Sequence, residues 1–269
     1  ASGEAGLRAA AADVLAFHRL PVPEIRDLLA DEDDAVRILA YGALGRGGAP
    51  LDPDAVNAGL ESKVPAVRRA ALEAAARSGT PGLDAICRQA ASRPADPDPE
   101  ALAFLGVLGH PQDLALLQEA VQRPELAPAA IRGLGALGRV EAIPLLIQLM
   151  ENPELAPAAG AAFQRITGAE DLEGERPAPP PPDTTDIEAE FADEAPPPDP
   201  AKAQAWWQAH QGALDPAARW QAGRDLGTDP LAAGFEALPL AVRRDSLLGA
   251  RSRGAASDLE LERRAALQR

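Results

Sequence analysis

Three histidines, one cysteine and one run of four acidic residues are the side chains best suited to catalysis or metal binding in this 269-residue chain. His18, His110 and His210 stand alone in sequence. None has a second histidine four residues away, the spacing that would aim two metal ligands from one helical face, so all three read as structural or surface residues. Cys87 follows Ile86 in an apolar stretch with no histidine nearby, and reads as a buried, inert thiol. A single cysteine also excludes an internal disulfide and a multi-thiolate zinc site, which fits a reducing compartment.

The run Asp31-Glu32-Asp33-Asp34 offers hard oxygen ligands of the kind calcium takes, yet it lacks the central glycine and distal glutamate of a calcium loop. It sits where a helix is expected to start, and carboxylates there cap free backbone N–H groups. Asp96 and Asp98, separated by prolines, read as an inter-helix loop. Neither a Gly-x-Ser-x-Gly elbow nor a phosphate-binding Gly-x-x-x-x-Gly-Lys-Ser/Thr loop occurs. The sequence therefore predicts no catalytic residues, no cofactor and no metal.

Arginine is the residue type left to carry recognition, because its planar fork grips carboxylates through two bonds. Arg37, Arg68, Arg69 and Arg132 fall on one class of expected helix and are the candidate partner-binding residues. Two readings stand side by side: an external ladder holding an acidic partner segment, or an internal one in which each arginine bonds an acid of an adjacent turn.

The elements that position these residues are helical. The chain has 60 Ala and 35 Leu against 18 Val plus Ile and only 9 aromatics. That ratio favours helices over strands and demands close packing of small side chains. Pro124-Glu125-Leu126-Ala127-Pro128-Ala129-Ala130 recurs unchanged 29 residues later, starting at Pro153. Helical stretches end at Gly45, Gly79, Gly109, Gly138 and Gly168, which sets a period near thirty and so predicts pairs of helices. First helices carry apolar residues at helical spacing, such as Ile143, Leu146, Ile147 and Met150. Second helices follow an acidic or proline-containing turn, as at Asp33 and Pro65. Five units are expected between about residue 20 and Gly168, after a helix near Leu7 to His18 that belongs to an earlier unit, so the chain is expected to begin inside an array.

From 170 to 200 the chain holds 11 acidic residues and one basic one, with nine prolines after residue 176. Such a segment is expected to be a disordered or extended linker. The domain reading is thus a repeat array over 1–169, the linker over 170–200 and a C-terminal helical segment over 201–269. In the last, helical pattern resumes at Ala201 to His210 and Leu231 to Leu238, and Val242-Arg243-Arg244 repeats Val67-Arg68-Arg69. It reads as a second short array or a cap of the first, with Trp206, Trp207 and Trp220 anchoring its core. The net charge of −15 opposes attraction to nucleic acid or an anionic membrane, and no apolar run approaches a membrane span. A protein partner and a cytoplasmic location are expected, with oligomeric state left open.

The Asp-x-x-Val-Arg element at Asp33 to Arg37, echoed by Val67-Arg68, resembles HEAT-type repeats. The fold this implies is an all-α, HEAT-like solenoid of antiparallel helix hairpins interrupted by the acidic linker. The succession Ala161-Ala162-Phe163-Gln164-Arg165-Ile166-Thr167-Gly168, the acidic stretch, then Pro200 to Trp207 is similar to a family of proteobacterial HEAT-repeat proteins. Phe17-His18-Arg19 and Ala130-Ile131-Arg132 add to the resemblance, which spans nearly the whole chain. Members are typically longer at the N-terminus, and their genes often lie near type VI secretion components. The resemblance implies a non-enzymatic scaffold, an adaptor or chaperone for a secretion effector. The alternative it implies is an immunity protein that occludes a toxin. Two remoter readings are a HEAT-like lyase and a HEAT-like DNA glycosylase. The lyase needs a pocket where cysteine or histidine meets carboxylates, and the glycosylase needs a strongly basic face.

Overall fold

The computed structural model describes residues 2–17, 23–175, 196–227 and 235–255, and their regular structure is almost entirely helical. Residues 176–195, where most of the expected linker falls, lie outside the described residues, as do His18, 228–234 and 256–269. Among the described residues no helix is long and apolar enough to cross a membrane.

Helix α1 (Ser2–Phe17) and a 3-10 helix at Pro23–Ala30 both pack on α2 (Asp34–Arg46). Four further pairs follow in chain order: α3 (Pro53–Leu60) with α4 (Pro65–Ser78), α5 (Leu83–Ala91) with α6 (Pro99–Leu108), α7 (Leu114–Ala120) with α8 (Ala127–Leu137), and α9 (Ile143–Leu149) with α10 (Ala156–Thr167). Each second helix also packs on the next, α2 on α4, α4 on α6, α6 on α8 and α8 on α10.

The start and stop chemistry is local. Asp33 and Asp98 accept backbone N–H bonds at the N-termini of α2 and α6, and proline occupies the first turn of α3, α4 and α6, where its missing N–H goes unneeded. The duplicated heptapeptide folds the same way twice. Ala127 N–H bonds Arg123 C=O and Ala156 N–H bonds Asn152 C=O, so each copy turns the chain into a second helix. Gly79, Gly109, Gly138 and Gly168 each end a helix at φ of 68 to 78°.

The stop expected at Gly45 lies elsewhere. Helix α2 runs on to Arg46 and is capped by Gly47, because Gly45 serves packing instead: a Cβ there would come within 2.8 Å of Ala74 Cα on α4. Similar contacts recur along the second helices, with Gly135 against Ala162 and Gly106 against the backbone of Gly133. Small residues thus substitute for the missing aromatics.

After α10 the chain leaves toward the acidic stretch and returns at the same place. Gly174 N–H bonds Pro197 C=O and Asp199 N–H bonds Leu172 C=O, both at 2.7 Å. Helix α11 (Pro200–His210) then packs on α9, with Trp206 edge-on to Phe163 of α10 at 5.8 Å. A two-strand ribbon, β1 (Trp220–Gln221) and β2 (Arg224–Asp225), precedes α12 (Leu240–Ser252), which packs on α4 and α6. Helix α12 and the ribbon therefore lie on second helices, α4, α6 and α10, whereas α11 lies on the first helix α9. Its three tryptophans are half-buried, and Trp206 and Trp220 sit at the seam with those pairs.

Candidate functional site

Among the described residues singled out for chemistry, Cys87 and the aspartates of the acidic run are engaged in packing, capping and ion pairs. Cys87 is fully buried, and burial pushes its thiol well above the ordinary range. Asp33 caps α2, Asp31 accepts from Arg8 Nε and Nη2 at 2.6 and 3.0 Å, and Asp34 pairs with Arg37. The Arg8 hydrogen bond holds the Asp31 carboxyl below the usual carboxylate range. His210 lies exposed on α11, stacked on Trp206 at 4.1 Å with Nδ1 2.7 Å from the Trp206 carbonyl oxygen, and His110 precedes a short 3-10 turn. Among the described residues no group of three or more His, Cys, Asp or Glu could hold a metal ion.

The four candidate arginines separate into two kinds. Arg37 and Arg68 are largely covered, with side chains 26% and 15% exposed. Arg37 pairs within α2 and reaches Ser62 at 3.5 Å. Arg68 bonds Asp98 at 3.1 Å and Ser62 C=O at 2.8 Å, tying α4 to the N-terminus of α6. Arg69 and Arg132 are 55% and 51% exposed, and both turn toward one carboxylate, Glu100 on α6, at 2.9 and 3.9 Å. That bond to Glu100 raises the Arg69 pKa further. Two half-exposed cations share one anion there, so three neighbouring second helices present a local surplus of positive charge.

The ion pairs join units along the chain. Arg88 grips the buried Asp113 through two bonds at 2.6 and 3.2 Å, and Arg93 bonds Glu61 at 2.6 Å. Glu100, Asp98 and Asp113 escaped notice in the sequence as arginine partners. Their signal was available, since Asp98 lies 30 residues after Arg68 and Glu100 lies 31 after Arg69, about one period.

A second polar centre sits at the opposite ends of the second helices. Arg219 Nη2 donates to Gly106, Val107 and Ala136 C=O at 3.2, 3.3 and 2.9 Å, while its Nε is buried without a partner. Burial, reinforced by the neighbouring cations Arg253 and Arg165, brings Arg219 down to about 10. The Gln221 amide donates to Gly135 and Ala136 C=O, and Arg253 donates to Leu108 C=O. These are last-turn carbonyls without helical partners, and a cation there also meets the negative end of the helix dipole.

One open groove, about 340 Å³, lies between α7 and α9, lined by Val121, Leu145 and Leu149 with Gln148 and Glu151. Among the described residues Glu151 is the single titratable group in its lining. No known family model matches this chain, and no curated protein does either.

Proposed function

We propose that the protein is a non-enzymatic scaffold that binds a protein partner through an acidic segment. The observation that carries this reading is the Arg69–Glu100–Arg132 group, in which two guanidiniums more than half exposed share one carboxylate. A partner carboxylate placed between them completes the pairing, and the planar forks favour two-bond contacts. The ordered packing of second helix on second helix supports a HEAT-like solenoid, in which such a row of side chains forms an extended docking surface. The resemblance to secretion-linked repeat proteins makes an effector adaptor or chaperone in the cytoplasm our specific proposal.

The test is affinity purification of the full-length R69A/R132A protein from its native host beside the unaltered one. The substituted protein should keep its helical circular dichroism but melt a few degrees lower, because Glu100, only 11% exposed, loses both of its cations, so recovery is compared well below that melting temperature. Recovery of one defined partner should fall about tenfold or more, as removal of interface charge does elsewhere. Unchanged recovery, or a partner whose bound segment lacks acidic residues, would contradict the proposal.

A further inference from the structure

The glycines that end α6, α8 and α10 have a second role besides their left-handed conformation. A Cβ on Gly109 would lie 2.3 Å from Arg219 Nη1, one on Gly138 would lie 2.3 Å from Trp220 O, and one on Gly168 would lie 2.7 Å from the Ala222 carbonyl carbon. The five residues Arg219 to Gly223 thus pass directly over three successive helix ends. Each contact is backed by a hydrogen bond. Trp220 N–H meets Gly138 C=O at 2.8 Å, Ala222 N–H meets Arg165 C=O at 2.6 Å, and Gly223 N–H meets Ile166 C=O at 3.1 Å. The ribbon turn places both Ala222 and Gly223 at positive φ, 50° and 71°. Positive φ at both central positions is the pattern of a tight hairpin, and the non-glycine Ala222 is held in that strained region by its bond to the end of α10.

The ribbon is also held from below. Arg139, just beyond α8, donates to the carbonyls of Pro216, Ala217 and Ala218 at 2.5, 2.8 and 3.1 Å. Arg165 bonds Gln221 at 2.8 Å and Asp245 of α12 at 2.7 Å, so one side chain joins α10, the ribbon and α12. Helix α12 continues the attachment: its Arg244 pairs with Glu73 of α4, and a Cβ on Gly249 would lie 2.5 Å from Val107 O of α6. Glu73 stands one turn beyond Arg69 on α4. The C-terminal segment thus reaches the second helices close to the arginine group.

We propose that residues 219–223 and α12 form one clamp, releasable as a unit, which fixes the spacing of α6, α8 and α10 and covers the adjoining faces of α4 and α6. The ribbon is bound through backbone carbonyls and a few polar side chains, and α12 through Val242, Leu247 and Leu248, which are buried in the common core. Release of the clamp therefore uncovers apolar surface on α4 and α6 while the helix pairs keep their contacts with one another. Such a device sets the curvature of the second-helix surface and the area open to a partner. It stands independently of what that partner is.

The experiment is amide hydrogen exchange on the full chain, comparing the unaltered protein with Gly138→Asn and Gly79→Asn. Asparagine tolerates the left-handed cap at both sites, but only at Gly138 does its Cβ collide with the ribbon, since at Gly79 the nearest atom, Arg251 O, is 3.4 Å away. In Gly138→Asn, exchange over 219–226 and 240–252 should rise together by about tenfold or more, with 99–108 in α6 still protected. Gly79→Asn should leave all three segments unchanged. Arg139→Ala, which removes the bonds to 216–218 together with a pair to the half-exposed Glu141, should speed exchange in the same two segments to a smaller extent. Ribbon protection that persists in Gly138→Asn, release of the ribbon without α12, or loss of protection throughout the helix pairs would each overturn the clamp.

Discussion

Gly106→Ala is expected to destabilise the protein by about 3 kcal/mol, at the upper end of what overpacking costs, and to lower the melting temperature by roughly 6–12 °C. The reason is the approach of α6 to α8. A Cβ on Gly106 would stand 2.0 Å from Gly133 O and 2.8 Å from Gly133 Cα, and both obstacles are backbone. No rotamer change can relieve a clash of that kind, so the two helices must part. Separation also loosens Leu102 and Leu134, both fully buried in the shared core. Gly42→Ala is the matched control. That glycine also lies within a helix, but its nearest neighbour is the flexible Arg46 end at 3.5 Å, so alanine should stabilise by about 0.5–1 kcal/mol through helix propensity. Thermal melts followed by circular dichroism at 222 nm check both.

Asp98→Ala should cost roughly 3–4 kcal/mol, because one side chain performs two tasks. Its Oδ1 caps α6 by accepting from Glu100 and Ala101 N–H, a contribution of about 1 kcal/mol. The same oxygen holds Arg68, whose side chain is only 15% exposed, and a nearly buried cation left without its carboxylate is strongly destabilising, by about 3 kcal/mol or more. Arg68 keeps one bond to Ser62 C=O, which limits the loss. Asp98→Asn retains an oxygen acceptor for the cap but not the charge, and should fall between the two at about 1–2 kcal/mol. Urea unfolding of the three proteins separates the contributions, and equal losses for Ala and Asn would show that the cap carries nothing.

Much of the helical layout is legible in the sequence because its signals are local. Proline in a first turn, aspartate at an N-cap and glycine at a left-handed C-cap act within four residues, and the structure places them at Pro65, Asp33 and Gly79. Gly45 shows where the reading fails, since a glycine required by a neighbouring helix looks the same as one that ends a helix. The arginine pairs are legible in hindsight through their one-period offset. The ribbon contacts are not: Arg219 meets Gly106 across 113 residues, and no short-range pattern links them. The likeness of Val242-Arg243-Arg244 to Val67-Arg68-Arg69 is visible, but only the fold brings α12 onto α4 itself.

A partner that binds the arginine group must touch the second helices beside it. Pro128 is exposed at the start of α8, one turn before Arg132. A photo-cross-linking amino acid placed there in cells should form one defined adduct, joined to a peptide rich in aspartate or glutamate, and R69A/R132A should abolish it. Cross-links that form instead from Gln148, on α9 beside the groove, with none from position 128, would contradict this placement.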